Sequence, residues 1–429
     1  MPATVLIGAQ WGDEGKGRVV DWLAAKAQIV ARYAGGDNAG HTVAVGDTVY
    51  KMHLIPSGIL HDGVTALMGN GMVVNPVNLV AEITRLREMG VAVTPENLVI
   101  SSRAHIITPA HIELDKAKEL ARGGQAIGTT LRGIGPAYLD KSGRKGLRMG
   151  DMLYIEEFAE KLTTALQETN DFLSLDGFET VDVEKQVQAY VDAANELKPF
   201  IQDAAVYLSQ HLADGAKVVC EGAQGTLLDI DHGSYPYVTS SSPTVGGAMT
   251  GLGIGPMHID EVVGVAKAFS TRVGGGPMPT ELNDEIGDKL RGTGENFWDE
   301  FGTTTGRPRR CGWLDGVLLK YATAINTCTE LVITKLDILT GFDELKIATA
   351  YEIDGQRYDM PPSQSAMLEQ ATPIYATLSG WKDDITSARK GDDLPAAAQK
   401  YIEFISDLTG VDIKTVSVGP ERDQLVHLS

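Results

Sequence analysis

Thr4-Val5-Leu6-Ile7-Gly8-Ala9-Gln10-Trp11-Gly12-Asp13-Glu14-Gly15-Lys16-Gly17-Arg18 decides the fold. A short apolar run reads as a buried strand, a glycine-rich loop follows, and a helical stretch begins at Gly17. A strand–glycine loop–helix unit turns backbone N–H groups and a helix N-terminus toward phosphate oxygens. Lys16 adds a mobile positive charge. The loop resembles a Walker A loop with two departures. Six residues separate Gly8 from Gly15-Lys16 where the motif has four, and Gly17 stands where a Ser or Thr would hold magnesium. Asp13 sits inside the loop, where a carboxylate beside phosphates is electrostatically costly. That placement points to a metal ligand or a proton acceptor.

Working outward, the same alternation recurs along the chain. Strands are expected at Thr4–Ile7, Ile29–Tyr33, Thr65–Met68, Leu98–Ile100, Lys217–Glu221, Glu261–Ala266 and Leu331–Lys335. Helices are expected at Gly17–Ala27, Pro76–Met89, Ala204–Ala213 and Leu394–Leu408, the last with Pro395 in its first turn and Gly410 past its end. Tyr351–Ile353, Asp354-Gly355 and Gln356–Asp359 read as a β-hairpin with a tight turn. The expected fold class is therefore α/β: a large, mostly parallel central sheet flanked by helices, P-loop-NTPase-like, with a small β-hairpin near residues 350–360. No linker, repeat or low-complexity segment interrupts it, so residues 1–429 read as a single domain.

Composition bounds the function. The 429 residues are 43% hydrophobic and 22% charged, ordinary for a globular chain. A net charge of −20 repels polynucleotides, so no nucleic-acid partner is expected. The chain has no run of 18 apolar residues, so no membrane span is expected. Its start is already strand, so no secretory leader is expected either. Three sparse cysteines, Cys220, Cys311 and Cys328, argue for a reduced, cytoplasmic protein and against a disulfide framework or zinc site. Many of the 48 glycines fall where an expected strand ends, as at Gly35, Gly36, Gly40, Gly222 and Gly225. Ligands of open α/β sheets bind outside the carboxyl ends of the strands, where backbone must approach closely.

Four more motifs carry chemistry. Gly35-Gly-Asp-Asn-Ala-Gly-His-Thr42 is a second glycine loop, in which Asn38 offers amide donors and His41 can move a proton near neutral pH. His53, His61 and His105 lack that setting and read as structural. Gly222-Ala-Gln-Gly225 places Gln224, with one acceptor and two donors, where it could read a purine edge. Thr303-Thr-Thr-Gly-Arg-Pro-Arg-Arg310 combines hydroxyls, a glycine and arginines, suited to an anion clamp. Leu331-Val-Ile-Thr-Lys-Leu-Asp337 ends in Lys-x-Asp, like the guanine-reading motif of GTPases with Thr334 in place of Asn. Arg144, within Lys141-Ser-Gly-Arg-Lys145, reads on residues alone as a solvated charge.

WGDEGKG and GGDNAGHT at this spacing resemble the adenylosuccinate synthetase family. The resemblance spans nearly the whole chain through HLIPSGIL (53–60), GNGMVVNP (69–76), AIGTTLRGIGPAY (126–138), EGAQGTLLDIDHGSYPYVTSS (221–241) and TTTGRPRR (303–310). It implies an enzyme that uses GTP to couple aspartate to IMP through a 6-phosphoryl intermediate, with Mg²⁺ as cofactor. It implies catalytic roles for Asp13, His41, Lys16 and Gln224, with Asp13 taking the N1 proton of IMP. Mg²⁺ would sit on Asp13 and the Gly40 carbonyl. IMP contacts are implied at Asp13, Glu14, Gly15, Lys16, Asn38, Ala39, Gly40, His41, Thr130, Arg144, Gln224, Thr239 and Arg307, with Arg144 arriving from the second subunit of a homodimer. GTP contacts are implied at Gly12, Asp13, Glu14, Gly15, Lys16, Gly17, Arg18, Gly40, His41, Thr42, Arg309, Lys335, Leu336, Asp337, Ser417, Val418 and Gly419. Aspartate contacts are implied at Thr303, Thr304, Thr305, Gly306, Arg307, Pro308 and Arg309. The alternative is a regulatory GTP-binding switch; the lengthened loop and the missing Ser/Thr after Lys16 weigh against it.

Overall fold

The computed structural model describes residues 3–45, 48–121, 128–175, 177–302 and 306–428, with the side chains of His41, Thr42, Ala44 and Val45 outside it. Ten strands form the central sheet: β1 (Ala3–Gly8), β2 (Ile29–Arg32), β3 (Thr65–Met68), β4 (Leu98–Ser101), β5 (Ile201–Gln202), β6 (Val218–Glu221), β7 (Ile259–Lys267), β8 (Glu330–Thr334), β9 (Ile413–Ser417) and β10 (Leu425–His427). They lie in the order β10-β9-β8-β7-β1-β6-β2-β3-β4-β5. Every pairing is parallel except β9 with β10. The expected α/β class and mostly parallel sheet are therefore present.

Alternate residues of each strand feed opposite faces, and both faces are covered. Leu6, Val30, Val219, Val263, Val265 and Val332 pack under helix α1 (Lys16–Ala24) through its Val19, Val20 and Ala24. Val5, Ile7, Ala31, Cys220, Leu331 and Ile333 belong to the larger core on the other side. Burial on both faces is why these strands read as unbroken apolar runs. At about 25 cal/mol per Å², such two-sided burial is the dominant favourable contribution to the sheet.

Because the strands run parallel, their carboxyl ends share one edge. Register places Gly8 beside Val265, Leu6 beside Glu221, Glu221 beside Arg32, and Lys267 beside Thr334. The loops leaving β1, β2, β6, β8 and β9 thus open on the same side. The topology, with β1 flanked by β7 and β6, puts the phosphate-loop strand at the centre of that edge.

Boundaries shift where local geometry intervenes. Helix α1 stops at Ala24 because Lys26 and Ala27 close tighter turns onto Leu23 and Ala24. Strand β8 stops at Thr334 because Lys335 adopts a left-handed backbone, φ 59°. Pro395 caps the helix Ala396–Thr409 from outside, and Gly410 ends it at φ 70°. The expected hairpin is present: Glu344–Ile353 pairs antiparallel with Gln356–Tyr358, with Asp354 and Gly355 both at positive φ. It is part of a larger small sheet that includes Thr372–Ser379, a strand the sequence did not announce. The helices Ile155–Leu175 and Val183–Leu197 were likewise not anticipated.

Candidate active site

The first loop is shaped from beneath by its own glutamate. Glu14 is fully buried, and its Oε1 accepts from the N–H of Gln10 at 3.0 Å and of Gly12 at 2.8 Å. Its Oε2 accepts from Lys16 Nζ at 2.5 Å. The Glu14 side chain is thus spent on the loop's own amides and the Lys16 ammonium. A Cβ on Gly8 would lie 2.6 Å from both the Gln224 carbonyl and Glu14 Oε2, so the loop closes only with glycine there. Gly15, at φ 84°, caps α1 with no side-chain hydrogen bond and no acid in the first turn. The helix N-terminus is therefore open to an anion. Thr334, in the place of the GTPase Asn, donates its hydroxyl to the Glu14 carbonyl at 2.6 Å, tying the guanine-type strand to the phosphate loop.

Asp13 stands at the front of this loop with a left-handed backbone, φ 60°, and a side chain 42% exposed to the cleft. Burial of the surrounding site opposes its ionisation, but Arg309, Lys267 and Lys16 outweigh it and hold the carboxyl below the usual range. The Arg309 Nε–Oδ2 contact is 2.8 Å. Among the described residues, Asp13, Arg144, Gln224 and Lys335 all occupy positive φ without being glycine. Such strain costs about 1–3 kcal/mol each and concentrates at functional positions.

The second loop meets the third. A Cβ on Gly35 would lie 3.0 Å from Gln224 Oε1. That oxygen is buried and has no protein partner, as is Thr129 Oγ1. Buried acceptors are almost always satisfied, so an unpartnered one facing a cleft is available to accept from water or a ligand. Asn38 Oδ1 accepts from Gly36 N–H at 3.2 Å and holds the loop in its turn.

The front of the first loop, Asn38 to Gly40 of the second, Thr129 and Gln224 line a cleft of about 490 Å³. Gly12, Asp13, Gly15, Lys16, Gly17, Arg18, Asn38, Ala39, Gly40, Thr130, Gln224, Thr239, Arg309, Lys335, Asp337, Ser417 and Gly419 are brought together there. At the guanine-type end, burial pushes the Asp337 carboxyl up against the pull of Lys335 and Arg18. Arg18 Nη1 donates to Ser417 Oγ at 2.8 Å, bracing α1 against the last loop. Leu336 and Val418 are fully buried and do not line the cleft. Arg144, exposed at the end of the helix Ile134–Gly143, does not line the cleft. Gly306, Arg307 and Pro308 are exposed beside it, and a Cβ on Gly128 would lie 3.7 Å from an Arg307 nitrogen. Thr303, Thr304 and Thr305, and the side chains of His41 and Thr42, lie outside the described residues.

The structure adds residues that the motifs did not single out. Trp11 and Arg272 line the cleft, with the guanidinium 5.3 Å from the indole centroid. Phe297 and Trp298 line it beside Lys335. Behind Asp13 lie two charges with no outlet to solvent, Lys267 and Glu300. The three histidines expected to be structural sit away from the cleft lining. His61 pairs with Asp21 at 2.7 Å, and burial pushes His105 down to about 4. All three cysteines are free. No helix among the described residues is long and apolar enough to cross a membrane.

A parallel sheet with a glycine loop and open helix N-terminus at its centre defines the class: an α/β enzyme of phosphate-loop architecture. Residues 5–426 match the family model for adenylosuccinate synthetase, and the chain belongs to that family. The enzyme of Streptococcus gordonii is 49% identical over 99% of this chain and 97% of its own; that of Carboxydothermus hydrogenoformans is 51% identical over 100% and 99%. The fully ligated adenylosuccinate synthetase of Plasmodium falciparum superposes with a TM-score of 0.93 at 39% identity, covering 99% of both chains. A cyanophage succinoaminodeoxyadenylate synthetase shares the fold, with a TM-score of 0.63 at 19% identity. The chain is thus a ligase: it joins aspartate to IMP at the expense of GTP, giving adenylosuccinate, GDP and phosphate. The regulatory-switch alternative is set aside by the same finding.

Proposed function

We propose that this cleft is where the ligation occurs, with each end assigned by its chemistry. What carries this reading is the convergence of two phosphate loops, an unpartnered Gln224 oxygen and the Lys335-x-Asp337 turn on one cavity. GTP lies from Asp337 and Ser417–Val418–Gly419 across Lys335 and Leu336 to the open N-terminus of α1, its phosphates over Gly15, Lys16, Gly17 and Thr42. IMP lies against Asn38, Ala39, Gly40 and Gln224, its phosphate toward Thr130 and Thr239. Aspartate is held by residues 303–309, with Arg307 shared with IMP and Arg309 shared with GTP.

The oxo group of a purine is a poor leaving group, and phosphate is a good one. Asp13 accepts the N1 proton of IMP as O6 attacks the γ-phosphorus and the bond to the β–γ bridging oxygen breaks, releasing GDP; the aspartate amine then adds at C6, loses a proton, and the C6–O6 bond breaks as phosphate departs. Arg309 Nε donates to Asp13 Oδ2. An anionic group of GTP or aspartate that engages Arg309 offsets the strongest charge lowering the Asp13 pKa, and so raises its basicity once those substrates are in place. Lys16 and the loop amides neutralise charge on the transferring phosphoryl group. His41 acts on the same group as acid or charge stabiliser.

The oxygen donors suit Mg²⁺. Asp13 and Gly40 face one cleft, and no group of three or more His, Cys, Asp or Glu among the described residues forms an all-protein metal cage. Magnesium at phosphate sites takes one or two protein oxygens, with water and phosphate completing its shell. The Asp13 carboxylate and Gly40 carbonyl would hold it, and it would supply charge neutralisation.

Arg144 completes the IMP phosphate site of a partner subunit in a homodimer; its exposed, left-handed position at a helix end outside the chain's own cleft supports this. Residues 1–429 act as one domain, supported by a sheet whose strands run from Ala3 to His427. The setting is cytoplasmic, supported by three free cysteines. One assay tests the reading: incubate with GTP, Mg²⁺, IMP and aspartate, omitting each in turn. GDP release that needs both IMP and aspartate is expected. GTP hydrolysis independent of both would overturn it.

A further inference from the structure

Glu300 lies on the stretch 292–302, outside every motif that marks the site. Its side chain is 1% exposed, yet it is ionised, held well below the usual carboxylate range by Lys267, Lys335 and Arg309 against the cost of burial. Both oxygens are engaged. Oε2 accepts from Lys267 Nζ at 2.6 Å and from Arg309 Nη1 at 2.8 Å. Oε1 accepts from Lys335 Nζ, which also donates to the Trp298 carbonyl at 2.6 Å. Lys267 is fully buried and spends a second donor on Thr271 Oγ1 at 2.6 Å. The backbone repeats the link, since Arg309 N–H donates to the Glu300 carbonyl at 2.8 Å.

The three cations come from three places. Lys267 ends β7, Lys335 follows β8 in the guanine-type turn, and Arg309 belongs to the anion clamp that also grips Asp13. One carboxylate is their common anion. A buried charge with partners is costly to unpair, so the three cannot shift independently. From this we propose that Glu300 is a positioning residue that locks Lys335 and Arg309 into one register, so that filling the guanine pocket organises the clamp for aspartate. The proposal rests on the assignment of the two ends of the cleft given above.

Glu300→Gln tests it in the full chain. The amide keeps the size and one acceptor oxygen, but turns an NH₂ group toward a cation whichever way it faces. Charge-assisted hydrogen bonds of this kind are worth about tenfold or more in affinity. The KM values for GTP and aspartate should each rise by about tenfold or more, with the KM for IMP within about twofold. Lys335→Met cuts one spoke at the partly exposed end and should raise the aspartate KM although Lys335 has no aspartate contact. Adding Glu300→Gln to it should then raise the aspartate KM little further. An unchanged aspartate KM in Glu300→Gln, or equal rises for all three substrates, would overturn the coupling. So would a Lys335→Met protein impaired in GTP alone, which decides the matter if Glu300→Gln fails to fold. Asp337→Asn serves as the control: if it leaves the GTP KM untouched, the assignment of the guanine pocket has failed rather than the coupling.

Discussion

Exchange of Asp337 for asparagine probes the nucleotide end of the cleft with little risk to the fold. Asp337 lies on the turn after β8, partly buried, with its carboxyl pushed up by burial and steadied by Lys335 and Arg18. A carboxylate there can accept both N1–H and the 2-amino group of guanine. Adenine lacks the N1 donor and would turn a lone pair toward it, so the proposed pocket should reject ATP. In Asp337→Asn the amide oxygen still accepts one hydrogen, but the NH₂ faces the 2-amino group, donor against donor. Losing one charge-assisted hydrogen bond costs about 2–3 kcal/mol, or roughly 30- to 150-fold in the GTP KM. Xanthosine triphosphate carries a carbonyl at C2, which the new NH₂ can satisfy. Initial-rate assays with both nucleotides should show the variant preferring xanthosine triphosphate, with the IMP KM within about twofold of wild type. Equal losses for GTP and IMP, or no gain with xanthosine triphosphate, would refute the argument.

Three further perturbations follow from the geometry. Asp13→Ala removes the carboxylate facing the cleft and should lower kcat for GDP release by about 10²–10⁴-fold, the usual span for a general base; a loss under twofold would contradict its role. Gly8→Ala drives a Cβ to 2.6 Å from the Gln224 carbonyl and should lower the urea unfolding free energy by about 1–3 kcal/mol; wild-type stability would show that the loop yields. Asp315, fully buried with Tyr351 Oη 2.7 Å from each carboxylate oxygen, is pushed up by burial to about 6 from 3.8. Its folded pKa is the higher one, so its contribution is fully present below about pH 4 and is lost as pH rises through about 6. Asp315→Asn keeps an acceptor for the Leu318 N–H and lacks this titration. Its unfolding free energy should gain on wild type by an amount on the order of 2 kcal/mol between those pH values, whereas parallel profiles would count against a raised Asp315.

The sheet was largely legible because parallel strands buried on both faces must be apolar along their whole length. Thr65–Met68 and Ala204–Ala213 fall where their patterns place them. The glycine loops were legible for a related reason, since backbone near a ligand or another loop excludes Cβ atoms. Other features leave no local trace. Ile201–Gln202 is a two-residue strand, and the closing strand Leu425–His427 is too short to show a period. Glu14 sits in a phosphate motif like a ligand residue, yet its side chain templates the loop from below. Glu300 is invisible in Phe297-Trp-Asp-Glu-Phe301 because its meaning depends on cations at 267, 309 and 335. Arg144 reads as plain surface in one chain, and its proposed role needs a second.

The phosphoryl route can be followed atom by atom. IMP labelled with heavy oxygen at O6 is turned over with unlabelled GTP and aspartate in unlabelled water, and the released phosphate is analysed by mass spectrometry. If O6 attacks the γ-phosphorus and later leaves as phosphate, each phosphate formed carries the label. Label appearing in water, with unlabelled phosphate, would mean that GTP is hydrolysed without ever being joined to IMP.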